Sequence, residues 1–352
     1  MNPIRTAVVG FGLSGRVFHT PFIDLSPKFS LTHIVQQSQK TAQAVYPEVT
    51  LCSFEAVLAN EAIELVVIAT PNELHYQMTD AALEAGKHVI VEKPFAATHE
   101  QGKRLVEKAA ELNKAFLVFH NRRLDGDFLT VKKLVDSKVL GEIVDYEAHY
   151  DRFSPGIHQK QWKEKADPSI SILYDLGTHI IDQTVALFGR PHAVTAHLAI
   201  QRLHSKIVDS FSIVLDYRSF NATLKSGMLV REPGPRYVIH GRAGSFVKYG
   251  IDPQEDDLKA GMLPNDDEWG RESPEHWGVL HTELNSQVFR GTIETEPGNY
   301  MVFYDHVYGV IRKGKAPLLQ PEEALITLEI IDLAIKSHQQ RRTIELGAVG
   351  ER

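Results

Sequence analysis

Residues 174–182 run Tyr174-Asp175-Leu176-Gly177-Thr178-His179-Ile180-Ile181-Asp182. On a helix, Asp175 and His179 lie four apart on one face, with Asp182 near the same stripe. A carboxylate beside an imidazole orients it and raises its basicity, which is the requirement for a general base. The helix is expected to start near Asp175, where a carboxylate also serves as a cap, and a buried, satisfied histidine is the structural alternative for His179. Asp, His and Asp are metal-ligand types too, but no further cluster with ligand spacing accompanies them, so no metal is expected. A second reactive group is Lys93 in Val91-Glu92-Lys93-Pro94. Its ammonium can stabilise a developing alkoxide or hand on a proton, although a lone Lys-Pro pair more often marks a surface turn.

The N-terminus supplies a separate candidate site, for a cofactor. Gly10-Phe11-Gly12-Leu13-Ser14-Gly15 is a G-x-G-x-x-G run between an expected strand and an expected helix. That context is what a dinucleotide-binding turn demands. Gly10 permits the tight turn, Gly12 admits a pyrophosphate close to backbone, and Gly15 allows close helix–strand packing. The helix N-terminus then faces the negative charge. NAD-binding versions carry an acidic residue after the second strand. Here the segment is Gln36-Gln37-Ser38-Gln39-Lys40, with Ser38 and Lys40 as candidate contacts to a ribose 2′-phosphate. The expectation is NADP, with NAD admitted if these are ordinary loop residues. Ligands in open α/β sheets bind at the carboxyl edge. Three further groups of cofactor candidates sit there: Thr70, Pro71, Asn72 and His75 after one strand, Glu92 and Lys93 after the next, Asn121 and Arg123 after the last. Arg152 and Trp162 are candidate substrate contacts, as are Asp175 and His179; ordinary packing explains Arg152 and Trp162 equally well.

The elements that must hold these groups follow from periodicity. Short apolar runs at Ile4–Val9, 31–35, 65–69, His88–Val91 and 115–119 alternate with helical patterns at 73–85 and 100–112. Strand–helix alternation predicts a doubly wound parallel sheet. Thr98 is an expected N-cap and Gly86 an expected C-terminal cap. Beyond Arg122 the rhythm changes. A helix over 128–139 is followed by strands at 143–150, 193–200, 211–217, 222–229 and 237–240, which predicts a mostly antiparallel sheet. Helical periodicity returns at 300–311 and 321–338, while 252–275 reads as a long loop or excursion. The fold class is α/β, with a dinucleotide-binding domain at 1–122 and a second domain with an open antiparallel sheet at 123–352.

Bulk properties exclude several classes. The chain has 352 residues, 43% apolar, enough for a sizeable core. A formal charge of -7 offers no basic face for nucleic acid. The single cysteine, Cys52, forbids an intrachain disulfide and suits a reducing cytoplasm. No secretory signal precedes the first strand, and no apolar run reaches the roughly 18 residues needed to span a bilayer.

The glycine run, Glu92-Lys93-Pro94 and Asp175-x-x-x-His179, in this order, resemble the Gfo/Idh/MocA oxidoreductase family. The nearest branch is that of the bacterial NADP-dependent scyllo-inositol dehydrogenases. The likeness extends through His120-Asn121-Arg122-Arg123, Asp151-Arg152-Phe153, Asp182-Gln183 and Tyr249-Gly250-Ile251-Asp252-Pro253-Gln254-Glu255. The resemblance implies a Rossmann domain, a C-terminal α/β domain, and homodimers or homotetramers formed through its sheet. It implies Lys93, Asp175 and His179 as the catalytic set, a Lys93–Pro94 bond that can be cis, and cyclic polyols, sugars or their ketones as substrates. Two other outcomes known in this fold group stay open: a glycosidase that retains its cofactor, and a non-catalytic dinucleotide-binding regulator.

Overall fold

The computed structural model describes residues 2–37, 41–157, 170–265 and 268–347. Its contacts divide the chain into two compact units, each discontinuous in sequence. The first comprises Met1–Leu124, Gln254–Trp269 and Asn299–Leu325; the second comprises Asp125–Pro253, Gly270–Gly298 and Ile326–Arg352.

Among the described residues the first unit is built on six strands: β1 (Ile4–Val9), β2 (Phe29–Val35), β3 (Thr50–Leu51), β4 (Leu65–Ile68), β5 (His88–Val91) and β6 (Phe116–Val118). All pair in parallel, in the order β3-β2-β1-β4-β5-β6. This is the order of a dinucleotide-binding sheet, with its switch point between β1 and β4. The near-continuous apolar composition of β1, β4 and β5 follows from burial on both faces. Helices Asn72–Glu84 and His99–Glu111 match the expected periodicity. Thr98 caps the latter by accepting from the Gln101 N–H at 3.3 Å, and Gly86 ends the former with φ +74°. A late segment completes this unit: in helix Met301–Lys313, Phe303, Tyr304 and Val307 join the core of Phe22, Phe29 and Phe119. Arg312 then grips Glu64 through two bonds of 2.7 and 2.8 Å.

Among the described residues the second unit carries nine strands: β7 (Ile143–His149), β8 (Ala193–Ala199), β9 (Ser210–Asp216), β10 (Asn221–Gly227), β11 (Tyr237–Gly241), β12 (Gly244–Lys248), β13 (Gly278–Leu284), β14 (Gln287–Ile293) and β15 (Ile344–Glu345). Their order is β14-β13-β12-β11-β7-β10-β9-β8-β15, antiparallel except where β7 meets β10. Alternation along β7 buries Tyr146 and Ala148 in the core, with Tyr150 just beyond the strand's end, and leaves Glu147 and His149 on the opposite face. Helices Gly126–Asp136 and Thr178–Phe188 cover the buried face.

Two expectations are corrected. Strands β12, β13 and β14 extend the sheet past 240; their mixed polar and apolar residues suit a half-buried antiparallel strand but leave little apolar signal. The stretch 252–275 is an excursion, with Gln254–Trp269 belonging to the first unit, but not a plain loop, because Gln254–Lys259 is helical. Its Glu255, Asp256 and Asp257 look like solvent-loop residues in sequence, yet carboxylates in a first turn are favoured by the helix dipole.

Candidate active site

The glycine run occupies the turn after β1, and its three glycines answer to three different constraints. Gly10 has φ +100°, and a Cβ there would stand 2.4 Å from the Ala69 carbonyl oxygen at the end of β4. A Cβ on Gly15 would lie 2.0 Å from the Gly10 carbonyl oxygen. Gly12 is different, since a Cβ there would meet nothing within 4 Å. Space is kept open at Gly12 for something other than protein. Phe11 is buried with its ring edge-on to Tyr46 at 6.2 Å, whereas Leu13 is exposed. Next to this turn, the Thr70 hydroxyl at the end of β4 is buried and has no hydrogen-bond partner. An open cradle beside an unspent polar atom fits a bound dinucleotide.

After Gly15 the chain makes a wide turn, Gly15–His19, closed by the Thr20 N–H bonding the Gly15 carbonyl. Pro21 follows, lacks the N–H that would bond Val17, and cannot sustain a tighter helix. The widening turns His19 inward, where it is fully buried. His19 Nε2 lies 3.1 Å from Glu92 Oε1, and Nδ1 lies 2.7 Å from the Tyr304 hydroxyl. Glu92 also accepts from the Ser14 hydroxyl and, at 3.1 Å, from the Lys93 N–H. Burial pushes the Glu92 carboxyl up, but the His19 and Ser14 hydrogen bonds and the charges of His19 and Lys93 outweigh it and hold the pKa at about 2.

Lys93 leaves β5 beside this carboxylate, and the Lys93–Pro94 bond is cis. His75, buried, braces the same edge: its ring nitrogens lie 2.7 Å from the Pro94 carbonyl and 2.8 Å from that of Thr70. Burial lowers its pKa, while the two carbonyl contacts oppose the shift without reversing it. Asn72 opens helix Asn72–Glu84, with Pro71 immediately before it. Asn121 is buried in the turn Asn121–Leu124, and the two arginines of that turn are ion-paired, Arg123 to Glu323 at 2.7 Å and Arg122 to Glu255. After β2, Gln36 turns onto its own loop, bonding Thr41 at 2.9 Å and the Ala42 N–H at 3.2 Å. Ser38 and Lys40 lie outside the described residues, as does Trp162.

In the second unit, Asp175 and His179 lie on one helical run, but Asp175 is not its cap. A wide turn, Leu173–Gly177, leads directly into helix Thr178–Phe188, and the Asp175 N–H bonds the Ser171 carbonyl at 3.0 Å. Wide turns of this type recur at functional positions in helices. Asp175 is exposed, whereas His179 and Asp182 are buried. Gly177 lets the turn pack closely, since a Cβ there would sit 3.3 Å from the Phe211 ring. One turn after His179, Gln183 accepts from Arg236 at 3.1 Å and from the Tyr237 hydroxyl at 2.9 Å. Arg236 also reaches Asp127 at 3.3 Å and the His149 carbonyl at 2.6 Å, and lies over the Tyr150 ring at 4.5 Å. Burial would lower the Arg236 pKa, but Tyr237, Asp127, Tyr150 and Asp125 keep it above the ordinary arginine value. This ion-paired arginine fixes the helix that carries His179. Arg152 stands 5.6 Å from the same Tyr150 ring. Among the described residues no group of three or more His, Cys, Asp or Glu is arranged to hold a metal.

Sequence reasoning missed His19, Tyr304, Gln183 and Arg236 as supporting residues. A local hint was Pro21, two residues after His19, which lacks the N–H that a tighter helix would use. Tyr304 and Arg236 reach their partners from distant segments, so no local pattern marks them.

Known proteins share this architecture. Residues 4–120 match the model described as the oxidoreductase family NAD-binding Rossmann fold, and residues 132–346 match that family's C-terminal alpha/beta domain. The scyllo-inositol 2-dehydrogenase (NADP(+)) IolW of Bacillus subtilis is 42% identical over 98% of this chain and 97% of its own. The uncharacterized oxidoreductase YdgJ of Escherichia coli is 38% identical over 97% of this chain and 98% of its own. The solved structure of the oxidoreductase YvaA from Bacillus subtilis superposes with a TM-score of 0.94 at 41% identity, covering 98% of this chain and 99% of that one. The glycine turn, the Glu92-Lys93-Pro94 strand end and the two matched domains together place this chain in the Gfo/Idh/MocA oxidoreductase family, with an NAD(P)-binding Rossmann domain.

Proposed function

We propose that the protein is an NADP-preferring dehydrogenase acting on a secondary hydroxyl, or the matching ketone, of a cyclic polyol or sugar of the scyllo-inositol type. The observation that carries the reading is Lys93 at the end of β5, on the edge where the glycine turn opens, with its backbone N–H held by the Glu92 carboxylate. The full-length likeness to a scyllo-inositol 2-dehydrogenase supports the substrate class. That relative is named for NADP(+), and no acidic residue occupies positions 36–40 of this chain, which supports NADP over NAD.

When bound, the nicotinamide supplies the hydride acceptor in oxidation and the donor in reduction. Gly10, Phe11, Gly12, Leu13, Ser14 and Gly15 cradle the pyrophosphate. Thr70, Pro71, Asn72, His75, Glu92, Asn121 and Arg123 shape or brace the rest of the cofactor edge, and Ser38 and Lys40 serve the 2′-phosphate. His179 takes the substrate hydroxyl proton, Lys93 stabilises the alkoxide oxygen by its positive charge, and Asp175 orients the pair. Arg152 and Trp162 contact substrate hydroxyls. Self-association through the nine-stranded sheet, as a dimer or tetramer, and a cytoplasmic location belong to the same reading. No helix among the described residues is long and apolar enough to cross a membrane.

The test is nicotinamide absorbance across a panel of inositols and sugars, with NADP and NAD in parallel, for the native protein and Lys93→Met. Reduced cofactor forming with scyllo-inositol or a related polyol, and turnover falling at least a hundredfold in Lys93→Met with dinucleotide affinity kept, is expected. Full activity in Lys93→Met would sink the lysine assignment. Glycoside cleavage without net cofactor reduction would replace the dehydrogenase by a cofactor-retaining glycosidase, and dinucleotide binding with no turnover by a regulator.

A further inference from the structure

We propose that His19 is a positioning residue that holds Glu92 as an oriented carboxylate, and that Glu92 thereby locks the phosphate-binding turn and the Lys93 backbone into one register. The proposal rests on the reading of the glycine turn as the dinucleotide site and of Lys93 as the reactive lysine.

The geometry sets the direction of each bond. Glu92, as a carboxylate, can only accept. It takes the Ser14 hydroxyl, the His19 Nε2–H and the Lys93 N–H. Ser14 belongs to the glycine turn, at the pyrophosphate end of the cofactor. Lys93 belongs to the strand end assigned to the nicotinamide. One partly buried carboxylate therefore ties together the two places that a single extended cofactor must touch at once. His19 is fixed from behind, because its other nitrogen meets the Tyr304 hydroxyl and its ring packs 4.4 Å from that of Phe119. Tyr304 is itself stacked on Phe22 at 5.7 Å, deep in the core. The titratable groups that face Glu92 are His19 from the wide turn, Lys93 from its own strand end, His75 from helix Asn72–Glu84 and Tyr304 from helix Met301–Lys313. Of these, His19 is the one whose hydrogen bond and charge do most to offset the burial of the carboxylate. Without it, only Ser14 and Lys93 oppose the burial, and the carboxyl is easier to protonate. A protonated Glu92 has to donate, so it no longer accepts from Ser14 and Lys93 in the same arrangement.

The experiment measures NADP binding by calorimetry from pH 5 to 8 in the native protein, His19→Leu, His19→Gln and Glu92→Gln, together with a carboxyl NMR titration of Glu92 without ligand. With the titration of the NADP 2′-phosphate itself subtracted, native affinity is expected to stay flat over this range, because Glu92 remains ionised throughout. In His19→Leu the Glu92 midpoint moves up into the measured window, and the NADP Kd rises by up to about tenfold between pH 8 and pH 5. His19→Gln keeps a donor toward Glu92 without the charge, so its slope is intermediate; it also serves if His19→Leu does not fold. Glu92→Gln cannot ionise and binds weakly at every pH with no slope. Flat, native-like binding in both His19 variants overturns the proposal. So does a uniform loss of affinity without a pH slope, which marks a merely structural histidine. Neither outcome depends on Lys93 chemistry, since binding and the NMR midpoint are read without turnover; retained turnover in Lys93→Met would fell that assignment and leave these curves unchanged.

Discussion

Alanine at Gly12 and at Gly15 should separate binding from folding within a single turn. At Gly15 the added methyl would stand 2.0 Å from the Gly10 carbonyl oxygen, well inside contact distance, and that oxygen is backbone tied into the sheet edge. Relief requires the helix to move off β1. Overpacking of this kind costs about 1–3 kcal/mol when side chains can yield, and backbone yields less, so the upper end is expected. For a unit of about 150–250 residues, ~3 kcal/mol corresponds to a fall in Tm of roughly 6–12 °C. At Gly12 the methyl meets nothing within 4 Å. Gly12→Ala should therefore leave stability unchanged or raise it by up to about 1 kcal/mol, because alanine restricts the unfolded chain. The same methyl occupies the space through which a pyrophosphate approaches backbone, so the NADP Kd should rise at least about tenfold, ~1.4 kcal/mol. Calorimetric melting gives the first quantity and fluorescence titration with NADP the second. Loss of stability in Gly12→Ala comparable to that in Gly15→Ala, or unchanged NADP affinity in Gly12→Ala, would refute the reasoning.

Other perturbations test the second unit and the periphery. Gln183→Leu removes the acceptor shared by Arg236 and the Tyr237 hydroxyl, both buried, and should cost about 2–4 kcal/mol by urea unfolding; if the helix carrying His179 is positioned this way, kcat should fall more than NADP affinity, and a loss confined to NADP affinity would argue otherwise. His149 lies 3.3 Å from both Asp151 and Glu147, and these hydrogen bonds raise its pKa against burial and the charge of Lys225. A raised folded pKa contributes stability that is complete below the ordinary histidine value of 6.5 and fades as pH climbs through the folded value; His149→Gln should abolish that slope in unfolding curves taken above pH 6.5, and a slope that persists would assign it to another group. The Arg312–Glu64 pair is half-exposed, so Arg312→Met should cost no more than about 1 kcal/mol by thermal melting despite its two short bonds.

Much of the first unit was legible because its signals are local. Five expected strands coincide with β1, β2, β4, β5 and β6 to within two residues, since a parallel sheet buried on both faces leaves continuous apolar runs. The caps at Thr98 and Gly86 were legible for the same reason: one side chain or one positive φ decides each. The second sheet was read only as far as β11. Strands β12 to β14 carry weaker alternation, and the helix Gln254–Lys259 hides behind its own charges.

By itself the sequence determined the glycine turn, the strand end that bears Lys93 and the spacing of Asp175 and His179, because each depends on residues within one turn or one strand. Tertiary structure alone decided that a tyrosine from helix Met301–Lys313 backs His19, that His19 meets Glu92, and that Arg236 and Tyr237 share Gln183. It also decided that Asp175 lies in a wide turn rather than at a helix cap. These contacts join residues separated by up to 285 positions. Burying these polar groups costs free energy unless partners from other segments satisfy them, a condition that no local pattern of residues encodes.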